Sequence, residues 1–307
     1  MKVSTSMFFD NASTQLGNIQ GSLSKTQEQL STGKQINRPS DMPDKASLIT
    51  RLESELARQA SYQSNLKVVN TRLQAQETAL KNTSDVMFRF KELAVQASND
   101  TLSAADRKSI ALEMTQLKEQ ILSLANSQDS NGNYLFAGSR VGKAPFAQDP
   151  HGAVVYQGDQ SRMVVPVGDN RRMNLNIPGS DAFVHLVRDD PKGKKVGIGF
   201  FQALNDLVNA VGAVDRPNIQ RGIGELDKMQ QGISDANAQV GTDMNVVDSQ
   251  NSVLDEITLR LKSTRSDVED LDYTEAITKM NKDQLALEAA QSSFAKISKL
   301  TLFSYIN

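Results

Sequence analysis

Residues 66–97 read LKVVNTRLQAQETALKNTSDVMFRFKELAVQA, and their spacing sets the fold class. Leu66, Val69, Leu73, Leu80, Met87, Phe90, Ala94 and Ala97 recur in alternating steps of three and four, with Gln76 and Thr83 in the gaps. That period places one apolar stripe along a helix. Neither Gly nor Pro occurs from Asp44 to Asn131. Pro breaks a helix interior and Gly weakens it, so nothing interrupts the stripe.

A second run of this kind appears toward the C-terminus. Val247, Gln250, Leu254, Ile257, Leu261, Thr264, Val268 and Leu271 keep the same steps, and Thr242–Asn307 again lacks Gly and Pro. Sustained heptads of this length make a coiled-coil or bundle seam. The predicted seam residues are Leu73, Leu80, Met87, Leu254, Ile257, Leu261, Val268 and Leu271. Leu254 and Leu261 are expected to pack against the helix carrying Leu73 and Leu80. A helix from Asn218 to Leu271 would reach about 80 Å at 1.5 Å per residue, with Pro217 suited to its first turn. Between the two runs, Ala111, Met114, Leu117, Ile121 and Leu124 predict a further helix. Ser103 is placed as its N-cap and Asp106 in its first turn. Phe201, Leu204, Leu207, Val208 and Val211 predict another.

Both chain ends repeat the pattern more sparsely: Leu16, Ile19, Leu23, Thr26 and Leu30 in one, Leu287, Ala290, Phe294 and Ile297 in the other. Gly17 and Gly21 weaken the first, and helices this sparse are marginal alone in water. Each needs a partner surface, and the other terminus is the nearest one. The steps break around Asp272–Glu275. On these grounds 1–36 and 275–307 are expected to become ordered only on assembly.

Ten of the 18 Gly and five of the eight Pro lie between Gly132 and Gly199. Here Met173, Leu175 and Ile177 alternate at period two. Val154–Tyr156 and Met163–Val167 flank a hairpin-like loop, Gln157–Ser161, so a small antiparallel meander is predicted, with Pro166 at an edge. The fold class is therefore mainly α: a long helical coiled coil or bundle formed by both chain ends, with a small antiparallel β-rich domain inserted in the middle. Three layers are expected. Residues 1–40 and 272–307 form paired terminal helices, 41–139 and 200–271 a helical bundle, and 140–199 a semi-independent β-rich outer insertion.

The chain has 307 residues, 34 Lys and Arg against 36 Asp and Glu, and no Cys or Trp. This balance gives no footprint for nucleic acid or an anionic membrane. Absent Cys excludes disulfides and thiolate chemistry. The apolar run at the N-terminus stops at Phe9, too short for a signal peptide. Only His151 and His185 are present. Gly197-Ile-Gly199 lacks the rest of a dinucleotide fingerprint. Asp129-Ser-Asn131-Gly-Asn133 starts like a calcium loop, but its Gly is displaced and no Glu closes it, so it reads as a turn. Lys192–Lys195 reads as a solvated basic turn. No constellation calls for a catalytic residue, a cofactor or a metal.

Val3-Ser-Thr-Ser-Met7-Phe8, Leu30-Ser-Thr-Gly33-Lys34-Gln35-Ile36-Asn37 followed by Arg38-Pro39-Ser40-Asp41, and Leu302-Phe303-Ser304-Tyr305-Ile306 together resemble the flagellin superfamily. Ser130–Ser139 resembles its hook–filament junction subunits more than flagellin itself. The likeness covers roughly 1–140 and 215–307. Met42-Pro43 departs mildly from the usual acidic-Pro pairing. The resemblance implies a structural protein exported without a cleaved signal peptide and assembled outside the cell as a ring. The implied partners are further copies of itself, the other junction protein, flagellin and an export chaperone at the C-terminal region. It also implies that the terminal helices line an inner tube, with Leu16, Ile19, Leu23, Leu30, Leu287, Phe294, Ile297, Leu300 and Phe303 as the assembly interface. The rival readings are flagellin itself, a secretion-needle or phage-tail coiled-coil protein, and an enzyme with its site in the β-rich insertion.

Overall fold

The computed structural model describes residues 2–150, 152–189 and 195–306, except for the side chains of 2–6, 8, 189 and 298–306. His151 and Lys192–Lys194 lie outside the described residues. The chain forms two compact units: Met1–Gln59 with Glu256–Asn307, and Ala60–Asp255. Four long helices carry the fold: α1 (Lys2–Thr32), α2 (Pro43–Ala97), α6 (Arg216–Glu269) and α7 (Tyr273–Ile306). Between α2 and α6 lie α3 (Ala104–Ala125), the short α4 (Gly179–Ala182), α5 (Phe200–Ala213) and six short strands.

Helix boundaries sit where capping chemistry places them. Ser103 accepts the Asp106 N–H at 3.2 Å, and the Asp106 carboxylate accepts the Ser103 N–H, a reciprocal capping box for α3. Asp215 accepts the Asn218 N–H ahead of α6, whose second residue is Pro217. Asp272 accepts the N–H groups of Thr274 and Glu275 at 2.8 and 3.1 Å and starts α7, so the break in the heptads is a capped helix start.

In the larger unit, the ten stripe positions from Leu66 to Ala97 are all buried, including Gln76 and Thr83. Thr83 bonds the Ala79 carbonyl one turn back. Gln76 reaches across to the carbonyls of Leu135 and Ile177 at 3.0 and 3.3 Å. A buried amide needs partners, and this one docks two loops onto α2. Gln250 does the same on α6: it donates to the Val167 carbonyl at 3.1 Å and accepts from Arg171.

The predicted meander is replaced by three separate antiparallel hairpins. Strand β1 (Phe146–Gln148) pairs with β2 (Val154–Tyr156), β3 (Val164–Pro166) with β4 (Arg172–Asn174), and β5 (Leu186–Asp189) with β6 (Lys195–Ile198). Gln157–Ser161 is not a hairpin loop, because Asp159 turns it elsewhere. The Asp159 carboxylate accepts the N–H groups of Ser139 and Ser161, and its own N–H donates to the Ala137 carbonyl. That carboxylate is held down at about 2, first by its hydrogen bond from the Ser139 side chain.

The middle segment is also less independent than its composition suggests. Phe146, Val167, Met173, Ile177, Ala182, Phe183 and Leu186 are buried in one cluster with residues of α2, α3, α5 and α6. Phe183 lies 5.2 Å from Phe200 and 5.6 Å from Phe136, both edge-on, and Phe146 lies 5.1 Å from Phe201. Such pairs add to the area they bury. The segment is semi-independent in composition only; in packing it closes the core.

Candidate assembly site

In the terminal unit, α1 and α7 run antiparallel. The Phe9 ring meets Phe294 edge-on at 5.4 Å, and the Ser22 hydroxyl donates to Asp283 at 2.8 Å. Further along, the Leu271 N–H donates to the Gly33 carbonyl at 3.0 Å and the Gln35 N–H to the Glu269 carbonyl at 2.7 Å. This last pair, with the Lys34–Asp270 bridge, is a two-stranded clasp between the end of α1 and the α6–α7 junction. Lys34 adds an ion pair to Glu269, which is also bonded by Arg265 at 3.3 Å.

The clasp makes two local demands that the sequence meets. Gly33 has φ +72°, and a Cβ there would stand 2.9 Å from the Tyr273 hydroxyl, so glycine satisfies both backbone and space. Arg38–Asp41 is a reverse turn with Pro39 at its second position. The Asp41 N–H donates to the Arg38 carbonyl at 2.9 Å, and the Asp41 carboxylate accepts the Arg38 N–H at 3.0 Å. Lys25 of α1 reaches the same carboxylate at 2.8 Å and, as the leading cause, holds it below the usual carboxylate range. Arg38 points back to Glu28 at 3.5 Å. The motif residues Arg38, Pro39, Ser40 and Asp41 thus fold the chain back along α1.

The predicted interface residues fall into two groups. Leu16, Ile19, Leu23, Leu30, Leu287, Phe294 and Ile297 are each half-buried. Leu16, Ala290, Phe294 and Ile297 line one shallow cleft with Asn11 and Gln15. The side chains of Leu300 and Phe303 lie outside the described ones. Among the described side chains of 2–36 and 269–297, full burial is reached at Thr26, Ile36, Glu269 and Ala276, near the clasp. Both termini are helical within a single chain, where the sparse stripes and glycines predicted order only on assembly. Each supplies the other's partner surface, and the clasp ties them together. Half of that stripe still faces solvent, beside exposed Tyr273, Ile277 and Leu285.

The seam residues divide differently. Leu73, Leu80, Met87 and Leu254 are buried in the larger unit. Ile257, Leu261, Val268 and Leu271 are half-buried and belong to the terminal unit. The register is set by Lys91 paired with Asp227, Gln230 donating to Ser84 at 2.6 Å, and Gln63 donating to Asp255 at 2.7 Å. Leu254 is therefore level with Gln63, and Leu80 lies against the stretch following Gln230. Leu254 shares one buried cluster with Leu73 and Leu80 of α2, as the expected packing requires, whereas Leu261 is half-buried in the terminal unit. Heptad steps are identical along α6, so spacing cannot choose among registers; the polar pairs do. Glu269 and Asp270 carry no sequence signal, and Lys34 stands out only within the Leu30–Asn37 motif, because nothing in their spacing marks a β-bridge.

Among the described residues, no three His, Cys, Asp or Glu side chains gather as a metal site would require. No described helix is long and apolar enough to cross a membrane.

Residues 3–140 match the bacterial flagellin N-terminal helical region, and 223–306 match the flagellin C-terminal helical region. Flagellar hook-associated protein 3 of Salmonella typhimurium is 27% identical over 316 residues, covering 99% of both chains. The Escherichia coli protein of the same name is 28% identical with the same coverage. Flagellin FlaB2 of Treponema pallidum is 24% identical over 93% of this chain and 92% of its own. Among solved structures, FlgL of Xanthomonas campestris superposes with a TM-score of 0.61 at 25% identity, covering 71% of this chain and 99% of that one.

Proposed function

Because this chain belongs to the bacterial flagellin family, we propose that it is a structural subunit of the flagellum, assembled as a ring at the hook–filament junction. There it adapts the hook to the flagellin filament. The observation that carries this reading is the full-length match to hook-associated protein 3, with both family regions at the chain ends where the antiparallel terminal pair forms.

In this reading the work is mechanical and involves no catalysis. The paired ends, 1–40 with 272–307, form the inner-tube coiled coil; 41–139 with 200–271 form the next shell; and 140–199 faces outward. The half-exposed stripe of Leu16, Ile19, Leu23, Leu30, Leu287, Phe294 and Ile297 is completed by neighbouring copies, because an apolar stripe left in water gains about 25 cal/mol per Å² when covered. The remaining partners are the other junction protein, flagellin, and an export chaperone at the C-terminal region. The protein acts outside the cell after export.

An epitope-tagged chain in a strain lacking its own junction subunit tests this. Label confined to a band between hook and filament is the expected result; label along the whole filament would make it a filament subunit. Phe294→Asp should give a folded, exported monomer that does not join the band. In the free chain, amide exchange should be slowest around Thr26–Ile36 and Glu269–Ala276, and faster toward Phe9 and Phe294.

A further inference from the structure

We infer that Asn131 is a site of spontaneous deamidation, gated by the turn that Asp129 builds, and that its conversion loosens the ion pair between the buried Arg72 and the half-buried Asp129. None of Asp129–Asn133 is among the assembly-interface or seam residues, and the chemistry of this stretch is specific. Asn131 and Gly132 are both exposed, and Gly132 has φ +79° with nothing within 4 Å of the place a Cβ would take. An Asn followed by the one residue without a side chain presents the least hindered backbone nitrogen to its own amide carbon. In the reaction, the Gly132 nitrogen attacks Asn131 Cγ and loses its proton, and the Cγ–Nδ2 bond breaks to release ammonia. The resulting five-membered imide is opened by water at either carbonyl. One opening leaves an ordinary aspartate at this position; the other leaves isoaspartate, with one extra methylene in the backbone.

The fold holds this reaction back. The Gly132 N–H, which must lose its proton, donates to the Asp129 carbonyl at 3.0 Å. The Asn131 N–H donates to Asp129 Oδ1 at 2.9 Å, the Asn133 N–H donates to the same oxygen at 2.9 Å, and the Asp129 N–H donates to the Asn133 carbonyl at 2.8 Å. The attacking nitrogen and the backbone on both sides of Asn131 are therefore fixed by one residue. The turn must open before the imide can close.

The same residue explains the consequence. Asp129 Oδ2 accepts Arg72 Nη1 at 2.9 Å, and Arg72 Nη2 donates to the Tyr134 carbonyl at 2.9 Å. Arg72 is 6% exposed and its Nε has no partner, so these two contacts carry the whole charge. An isoaspartate lengthens the backbone between the two N–H groups that Asp129 Oδ1 holds, and an aspartate brings a second negative charge beside Asp129. Either disturbs the support of a guanidinium that cannot shed its proton.

The test follows the purified full chain in mildly alkaline buffer, folded and in concentrated urea, with Asn131 peptides read by mass spectrometry and chromatography. Conversion in urea about ten-fold or more faster than in the native chain is expected, since opening limits the folded rate. Equal rates would overturn the gating, and no conversion in urea would overturn the site. Asp129→Ala, checked for native helix content, should convert faster than the folded wild type; an unchanged rate would remove Asp129 from the gate. Chain deamidated in urea and refolded should melt below an unconverted control carried through the same steps. Identical melting would overturn the link to Arg72.

Discussion

Arg188 of β5 holds Glu225 of α6 in a two-pronged contact, Nε to Oε1 at 2.8 Å and Nη2 to Oε2 at 2.7 Å. Its third nitrogen donates to Asp206 of α5 at 2.7 Å. One side chain thus ties the last hairpin to two helices, and its two carboxylate partners hold its own charge in place. Arg188→Ala would leave the buried Glu225 with only the long Arg221 contact at 3.5 Å, and should cost about 2–4 kcal/mol. Arg188→Lys keeps the charge but loses the fork, and should cost roughly 1 kcal/mol. The exposed Arg89–Glu113 pair at 2.9 Å is the control; Arg89→Ala should leave the unfolding midpoint nearly unchanged, because solvent screens such a pair. Urea unfolding of the three variants measures the order.

Replacing 144–195 by a short flexible linker should abolish cooperative folding of the Ala60–Asp255 unit. The deletion strips seven buried apolar residues, Phe146 to Leu186, from the shared cluster. At about 1.5–3 kcal/mol for each large side chain, the loss rivals the typical 5–15 kcal/mol stability of a domain. It also orphans the amide of Gln250 and takes away one of the two carbonyls that Gln76 reaches. A sharp calorimetric transition in the deletion variant would show that the insertion is dispensable after all.

Val214 is the one non-glycine residue described with positive φ, at +59°. It ends α5 while the Asp215 N–H returns to the Ala210 carbonyl at 2.9 Å, the closure of a Schellman motif. A β-branched residue there is strained by about 1–2 kcal/mol, and the greater freedom of glycine in the unfolded chain offsets part of that. Val214→Gly should therefore stabilise the protein by roughly 0.5–1 kcal/mol, seen as a higher melting temperature.

Stability should fall at both extremes of pH for separate reasons. Burial, as the leading cause, pushes Tyr156 up to about 12, above the unfolded value of about 10. Its contribution is complete below about 10 and is lost as pH rises through 12. Asp159 is held at about 2, below the unfolded value of about 3.9. Its contribution is present above that value and is lost as pH falls through 2. Tyr156→Phe should flatten the alkaline limb alone and Asp159→Asn the acid limb alone, in urea titrations across pH.

That the long central segments are helical, and which face of each is apolar, could be read along the chain. Steps of three and four from Leu66 to Ala97, the Ser103 cap and the break at Asp272 are properties of neighbouring residues, and neighbouring residues settle them. The family motifs at both ends were legible for the same reason: Gly33 and Pro39-Ser40-Asp41 encode a local backbone path. Which segments meet was settled only in three dimensions. A heptad stripe looks alike at every turn, so the register of α2 against α6 came from Gln63–Asp255, Ser84–Gln230 and Lys91–Asp227, pairs far apart in the chain. Strand β2 found β1 rather than β3 because Asp159 drew the intervening loop onto Ser139. The clasp of Lys34, Gln35, Glu269 and Asp270 exists only once backbone groups from opposite ends need each other's hydrogen bonds. Periodicity reports the water a residue avoids; the choice of partner depends on satisfying polar groups that no local pattern brings together.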